Sequence, residues 1–176
     1  MTKSIYLLGF MGCGKSHWGR WAAAQLGCPF VDLDETIAQA EQKTIAAIFE
    51  SAGEAGFRAI ERRHLLETGL LPPAIVATGG GTPCFFDNMD WMNAHGRTVF
   101  MDVPVPVLAT RLRSEQATRP LLRGLEAHQL ETFIAERLAM RRAFYEKARI
   151  TLPYLADLPE YERRILDTFR ELCYLA

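Results

Sequence analysis

The chain has 176 residues, of which 49% are hydrophobic and 23% are charged, and its formal net charge at pH 7 is −1. This length is enough for one folded domain with a sizeable core and leaves little room for a second. The nearly balanced charge gives no electrostatic reason to expect binding to nucleic acid or to a membrane surface, so we predict neither.

Along the chain, short apolar runs alternate with longer stretches of helical composition. The predicted strands cover residues 5–8, 30–32, 74–77, 98–102 and 150–152. The predicted helices cover residues 15–26, 35–41, 45–50, 54–70, 87–94, 106–113, 125–148 and 160–172. This alternation predicts βαβ units, and the near-continuous apolar strands indicate a parallel sheet covered by helices on both faces.

Residues 9–16 read Gly-Phe-Met-Gly-Cys-Gly-Lys-Ser and match the phosphate-binding P-loop pattern G-x-x-x-x-G-K-[ST] at every position. The pattern lies between the first predicted strand and the first predicted helix, which is the context that it requires. Its glycines let successive backbone N–H groups face an anion, and the helix N-terminus adds partial positive charge. We therefore predict a nucleoside triphosphate ligand, with Lys15 at the β- and γ-phosphates and Ser16 on Mg²⁺. With the short length, this favours a small kinase over a motor, a transporter ATPase or a helicase.

Two carboxylates, Asp32 and Asp34, follow the second predicted strand. In open parallel sheets, ligands bind outside the carboxyl ends of the strands. If the extended geometry continues, both side chains point the same way. A magnesium kinase needs one carboxylate near the metal and another that accepts the proton of the attacking hydroxyl. The alternative is that Asp34 only caps the following helix, which leaves Asp32 unexplained.

Three consecutive glycines, Gly79, Gly80 and Gly81, follow the third predicted strand. Without Cβ atoms, they would let a ligand approach the backbone closely. The alternative is a tight turn, which needs one or two glycines rather than three. Thr78, just before them, is a weaker candidate for holding a water near the metal.

Two predicted helices contain an arginine spaced to share a helix face with other polar side chains. Glu54, Arg58 and Glu61 are spaced i, i+4 and i+7 and share one helix face. From the sequence alone, an exposed ion-pair ladder is favoured over an arginine that binds an anionic substrate. Arg141 and Tyr145 share a face in the same way, an ordinary amphipathic pattern.

A connecting segment at residues 114–124 contains Glu115, Arg119 and Arg123 between two predicted helices. It is either a lid that closes over the site or a plain surface loop.

The four cysteines show no C-x-x-C spacing, so we expect reduced thiols and a cytoplasmic protein. The four histidines do not cluster at metal-ligand spacings.

Together, these motifs resemble those of the shikimate kinase family over roughly residues 4–148. The matching segments are the P-loop at 9–16, D-x-D at 32–34, G-E-x-x-F-R-x-x-E at 53–61, T-G-G-G at 78–81, R-P-L-L at 119–122 and R-x-x-x-Y at 141–145. The resemblance implies an α/β, three-layer P-loop kinase fold. It has a five-stranded parallel sheet of order 2-3-1-4-5 flanked by helices in one domain (1–176), a mobile lid at about 114–124 and a substrate-binding region at about 34–61.

The resemblance also implies an activity, which is ATP-dependent phosphorylation of the 3-hydroxyl of shikimate in aromatic amino-acid biosynthesis. ATP is then the co-substrate and one Mg²⁺ per subunit the cofactor, and we expect a cytoplasmic monomer. The ATP phosphates would be held by Gly12, Cys13, Gly14, Lys15, Ser16 and His17. Asp32 would support the metal through water, with Ser16 as a direct ligand.

For the acceptor, the resemblance implies that Asp34 hydrogen-bonds the substrate hydroxyl and accepts its proton. Arg58 and Arg141 would bind the substrate carboxylate, joined by the glycine backbone at 79–81, and Glu61 would restrain Arg58. Arg119 would swing in with the lid and neutralise charge on the transferring phosphoryl group.

On the adenine side, Pro153 is the expected wall, and the family's other arginine there is Arg111 or Arg113. Residues 150–155 depart from the family's usual Asp-Thr-like stretch, and His17 stands where a small hydroxyl residue is common.

Two other functions remain as alternatives. One is a different small-molecule kinase of the same fold, such as a gluconate or nucleoside-monophosphate kinase, and the other is a non-catalytic nucleotide-sensing module. The pair Arg58 and Arg141 with the glycine run favours a compact anionic polyol as acceptor. A sensor would be favoured by the loss of Lys15, Asp34 or Arg119, and all three are present.

Overall fold

A computed structural model describes residues 1–116, 122 and 124–174. Its centre is one parallel sheet with the order β2-β3-β1-β4-β5, which confirms the predicted order 2-3-1-4-5. The strands are β1 (Ser4–Leu8), β2 (Phe30–Asp32), β3 (Ile75–Ala77), β4 (Gly96–Asp102) and β5 (Ile150–Pro153). The helices are α1 (Lys15–Leu26), α2 (Leu33–Ala40), α3 (Ile45–Glu67), α4 (Asn88–His95), α5 (Val105–Arg113), α6 (Ala127–Tyr145) and α7 (Leu158–Tyr174). Short 3₁₀ helices cover Thr68–Leu70 and Thr82–Cys84.

The middle strand β1 is buried along its whole length between β3 and β4. Its continuous apolar sequence is typical of a strand covered on both faces. The edge strands β2 and β5 are only partly buried. The carboxyl ends of β1, β2 and β3 therefore meet at one edge of the sheet, where the P-loop begins.

Two glycines allow close packing around the start of α1, Gly19 against the sheet and Gly14 against a side chain of the helix itself. A Cβ on Gly19 would lie 2.7 Å from Cε2 of Phe30 and 2.9 Å from Cδ1 of Leu7. Gly14, just before the helix, has φ 102°, and a Cβ there would lie 2.7 Å from Cδ1 of Trp18. These contacts place the first turn of α1 directly behind the P-loop.

The largest differences from the predicted elements lie between β2 and β3. Helix α2 begins at Leu33, two residues earlier than predicted, because Asp32 caps it. The two helices predicted over 45–50 and 54–70 are joined as α3, with a break at Gly53 (φ 67°, ψ −179°). The predicted interruption is therefore a kink at a single glycine, and α3 ends at Glu67.

Helix α6 is shorter than the predicted 125–148. A capping box between Glu126 and Gln129 fixes its beginning, and Tyr145 is its last residue.

The predicted lid at 114–124 lies only partly within the described residues and stays a prediction. No helix of the described part of the chain is long and apolar enough to span a membrane.

Candidate active site

A cavity of about 720 Å³ opens at the carboxyl ends of the strands. The predicted site residues that line it are Gly12, Gly14, Lys15, Ser16, His17, Asp32, Asp34, Arg58, Gly79, Gly80, Gly81 and Arg141. Cys13 and Pro153 are not among its lining residues, and the Cys13 side chain is buried. Arg119 lies outside the described residues. The fold thus brings together nearly all the described residues that were selected from separate motifs.

The P-loop is shaped by glycines with positive φ, namely Gly9 (140°), Gly12 (78°) and Gly14 (102°). The Lys15 side chain folds back over the loop, and its Nζ donates to the carbonyl oxygens of Gly9 (2.8 Å) and Phe10 (3.1 Å). Lys15 is buried, so these carbonyls replace the water that its ammonium group would otherwise bind. The positive charge is therefore held beside the loop that is expected to receive phosphate.

Asp32 joins the P-loop to α2. Its Oδ2 accepts the Ser16 hydroxyl at 2.5 Å, while its Oδ1 accepts the backbone N–H groups of Asp34 (3.1 Å) and Glu35 (3.3 Å). The proposed alternative that Asp34 caps this helix is wrong, because the cap is Asp32. The extended geometry on which a common direction of the two side chains depended does not continue, since α2 begins at Leu33.

Asp34 lies in the first turn of α2 and faces the cavity. Its side chain is partly exposed to the cavity, but neighbouring protein atoms exclude much of the water around the carboxyl group. This burial, together with the negative charges of Asp32 and Glu61, raises the pKa of Asp34 from 3.8 to about 6. Lys15 and Arg58 oppose the rise. A carboxyl group with such a pKa can accept a proton near neutral pH.

Arg58 is buried rather than part of an exposed ion-pair ladder, so the interpretation favoured by the sequence alone is wrong. Its Nη1 donates to Oε2 of Glu61 at 2.8 Å, and its Nη2 donates to Oε1 of Glu54 at 3.3 Å. Glu61 is fully buried and also accepts the Thr82 hydroxyl on Oε1 at 2.6 Å. Residues far apart in the chain therefore fix the Arg58 guanidinium at the cavity wall.

The glycine run provides space for these side chains. A Cβ on Gly81 would lie 2.5 Å from Nη2 of Arg58, and a Cβ on Gly79 would lie 2.7 Å from Oε1 of Glu61. Gly81 has φ −94°, which any residue adopts, so backbone conformation does not require glycine there. We expected a ligand to lie against this backbone. At Gly79 and Gly81, the groups that lie against it are instead the side chains of Glu61 and Arg58.

Arg141 and Tyr145 approach the same run from α6. The Tyr145 hydroxyl donates to the carbonyl oxygen of Gly80 at 2.5 Å, and Arg141 lines the cavity with its guanidinium 5.6 Å from the Phe10 ring centre. Burial raises the pKa of Tyr145, which keeps its hydroxyl protonated as a donor. The interpretation as an ordinary amphipathic pattern missed this bond, for which the Arg141-to-Tyr145 spacing was the only signal.

Of the two arginines considered for the adenine side, Arg111 lines the cavity and Arg113 is exposed. Nη1 of Arg111 donates to the P-loop carbonyls of Gly12 (3.1 Å) and Cys13 (3.2 Å). Its guanidinium also lies 5.3 Å from the ring centre of Tyr154.

Thr78 was a weaker candidate for holding a water near the metal. Its hydroxyl donates to the carbonyl oxygen of Leu7 at 2.8 Å.

Comparison with known proteins identifies the family. A family model described as shikimate kinase matches residues 11–167. The chain belongs to the shikimate kinase family. A shikimate kinase of Phocaeicola vulgatus is 44% identical over 174 residues, covering 97% of this chain and 98% of the relative.

Solved structures of shikimate kinases have the same fold as this chain. A shikimate kinase from Bacteroides thetaiotaomicron, 40% identical, superposes with a TM-score of 0.90 over 98% of this chain and 99% of its own. A shikimate kinase from Acinetobacter baumannii in complex with shikimate, 31% identical, gives a TM-score of 0.87 over 100% and 97%. These similarities confirm the predicted family, the predicted α/β P-loop kinase fold and the prediction of a shikimate kinase enzyme.

Several cavity residues were not predicted from the sequence. Met11, Ile45, Phe49 and Phe57 contribute apolar lining, and Thr82 holds Glu61. Phe57 lies inside the quoted G-E-x-x-F-R-x-x-E motif, which was a usable signal. Phe49 and Thr82 follow from no local pattern, because each reaches the site through the tertiary fold.

Proposed function

We propose that this protein transfers the γ-phosphoryl group of ATP to the 3-hydroxyl of shikimate, a step of aromatic amino-acid biosynthesis. The observation that supports this most is the two-sided cavity. The P-loop forms one wall, while Asp34 and the arginines Arg58 and Arg141 lie on the acceptor side. A binding site for the phosphate donor and a binding site for a carboxylate would thus share one cavity, as phosphoryl transfer by positioning requires.

On the donor side, the P-loop from Gly12 to His17 binds the ATP phosphates, and Lys15 leaves its loop carbonyls to contact them. The backbone N–H of Cys13 donates to the carbonyl of Phe10 at 3.2 Å, so Cys13 supports the loop's shape as well. Arg111, tied to two P-loop carbonyls, is the adenine-side arginine. Pro153 ends β5 opposite Asp102 and is the further wall proposed for the base.

The donor set beside the P-loop fits a magnesium ion. A hydroxyl and a carboxylate oxygen, from Ser16 and Asp32, already lie 2.5 Å apart. Among the described residues, no group of three His, Cys, Asp or Glu side chains forms a protein-only metal cage. Magnesium bound to nucleotide phosphates uses few protein ligands. When bound, Mg²⁺ would supply positive charge that neutralises the phosphate oxygens. We assign Ser16 as its direct ligand and Asp32 as its support through water, with one ion per subunit.

On the acceptor side, Arg58 and Arg141 bind the substrate carboxylate, with the backbone of Gly79, Gly80 and Gly81 alongside. Binding at this remote group orients the reacting hydroxyl toward the phosphate. Asp34 accepts the hydroxyl proton, for which its raised pKa suits it.

Arg119, which lies outside the described residues, is proposed to close with the 114–124 lid and neutralise the transferring phosphoryl group. We further propose a cytoplasmic monomer that folds as one domain.

A coupled assay of ADP release tests this function, using purified protein, Mg-ATP and a panel of hydroxy acids that includes shikimate and gluconate. Turnover with shikimate and none with gluconate is expected. Turnover with gluconate alone would contradict the proposed acceptor. ATP binding with no turnover on any acceptor would instead favour a nucleotide sensor.

A further inference from the structure

We propose that Phe85 is a positioning residue, whose aromatic ring holds the Arg58 guanidinium in the orientation that receives the substrate carboxylate. This inference rests on the proposed function, since it assumes that Arg58 binds that carboxylate. It concerns a residue that none of the sequence motifs contains.

Phe85 makes the shortest aromatic contact of Arg58. The guanidinium carbon lies 4.2 Å from the Phe85 ring centre, compared with 5.1 Å for Phe57 and 5.8 Å for Phe49. Arginine is attracted to the negative face of an aromatic ring, and the attraction grows when water is excluded. Because Arg58 is only 7% exposed, this contact is of the desolvated kind.

The hydrogen bonds of Arg58 leave one part of the guanidinium unsupported. Nη1 and Nη2 donate to Glu61 and Glu54, whereas Nε is buried and has no hydrogen-bond partner among the described residues. Two carboxylates restrain the outer nitrogens, and the Phe85 ring is the aromatic ring nearest to the guanidinium carbon.

An aromatic ring suits this place better than another carboxylate. Glu61 already neutralises Arg58, and a further acidic group would repel an anionic substrate. Phe85 stabilises the cation without adding negative charge. The Phe85 contact therefore adds no repulsion toward an anionic substrate.

The backbone around Phe85 is itself fixed. Its carbonyl oxygen accepts the N–H of Asn88 at 3.2 Å, and the Asn88 side chain donates to the carbonyl of Thr82 at 2.8 Å. Asn88 is fully buried, and its Oδ1 accepts Nη1 of Arg62 at 2.7 Å. The segment from Thr82 to Asn88 therefore presents the ring from a rigid base, as positioning requires.

Three substitutions separate the aromatic contact from simple packing. Phe85→Leu keeps an apolar side chain without a π-face, Phe85→Tyr keeps the face, and Phe86→Leu is the matched control because Phe86 is 64% exposed. We expect Phe85→Leu to raise KM for shikimate about 5- to 30-fold, the range of a partly to fully desolvated cation–π contact. KM for ATP should stay unchanged, and Phe85→Tyr and Phe86→Leu should behave as wild type.

Fluorinated phenylalanines at position 85 provide the second measurement, because fluorine weakens the negative ring face while nearly preserving its shape. KM for shikimate should rise with the number of fluorines, while KM for ATP stays unchanged. The proposal is overturned if KM does not follow the fluorine series, or if Phe85→Leu raises both KM values together with a loss of stability.

Arg58→Lys separates this proposal from the proposed function. If the wild type phosphorylates shikimate and Arg58→Lys raises its KM while the Phe85 series has no effect, only the role of Phe85 fails. If the wild type does not phosphorylate shikimate at all, the proposed function fails first.

Discussion

Glu61 and Arg58 form a hydrogen-bonded ion pair inside the protein, with Nη1 of the arginine 2.8 Å from Oε2 of the glutamate. Glu61 is fully buried and Arg58 nearly so. Removing one partner of a buried pair leaves the other charge unpaired and without water, which costs far more than breaking an exposed pair. The pair therefore connects the stability of α3 with the geometry of the acceptor side.

Glu61→Ala should lower the free energy of unfolding by about 3–5 kcal/mol, the usual cost of an uncompensated buried charge. It should also raise KM for shikimate, because Arg58 loses its main restraint. Urea unfolding and steady-state kinetics measure the two effects. Glu54→Gln is the matched control, since Glu54 is 62% exposed and its contact with Arg58 is longer, so a change below about 1 kcal/mol is expected. Equal losses for both variants would show that burial of the Glu61 pair does not matter.

Asp34 should make stability depend on pH. Its pKa is raised from 3.8 to about 6 in the folded protein, so the folded state binds more protons than the unfolded state between these values. Folding stability from this group is thus fully present below about pH 4 and is lost as pH rises through about 6. Asp34→Asn should therefore be more stable than wild type above pH 6 and lose that advantage near pH 4. Melting temperatures across this range, without nucleotide, check the prediction, and a pH-independent difference would contradict it.

The same carboxyl group should control the pH dependence of catalysis. If Asp34 accepts the proton, kcat/KM for shikimate should fall as pH drops through about 6, where the carboxylate becomes protonated. Asp34→Asn should lower kcat about 10²-fold or more, the scale of general-base contributions, and leave ATP affinity nearly unchanged. Rate profiles and nucleotide titrations measure both effects. A variant with wild-type kcat would remove Asp34 from the mechanism.

The glycine run should respond differently at neighbouring positions. A Cβ on Gly81 would lie 2.5 Å from Arg58, whereas a Cβ on Gly80 meets its nearest protein atoms at 3.4–3.5 Å. Gly81→Ala should therefore displace the guanidinium and raise KM for shikimate at least about tenfold, the effect of losing about 1.4 kcal/mol of binding. Gly80→Ala should leave the unliganded protein undisturbed. If Gly80→Ala still weakens shikimate binding at normal stability, the substrate itself approaches that backbone. A wild-type KM for Gly81→Ala, or a loss of stability in Gly80→Ala, would contradict this distinction.

Local sequence patterns predicted the features that depend on neighbouring residues. The P-loop follows from its glycine spacing, and the sheet order followed once the motifs together resembled a known family. The kink at Gly53, where φ is 67°, coincides with the boundary between two predicted helices.

Features decided by contacts across the chain could not be predicted. The same i, i+4 spacing describes an exposed and a buried Arg58, and its burial depends on the segment from Gly79 to Phe85 folding against α3. The cap at Asp32 was missed because β2 ends one residue before α2 begins, so strand and cap overlap at a single residue. The bond from Tyr145 to Gly80 joins residues 65 positions apart.

Identifying the reaction product is the most direct test of the proposed function. Purified protein should be incubated with Mg-ATP and shikimate, and the product assigned by ¹H–³¹P correlation NMR. We expect one new phosphate ester, formed together with ADP, whose phosphorus couples to the proton on C3 of the ring. A phosphorus coupled to another ring proton, or ADP without any phosphorylated shikimate, would contradict it.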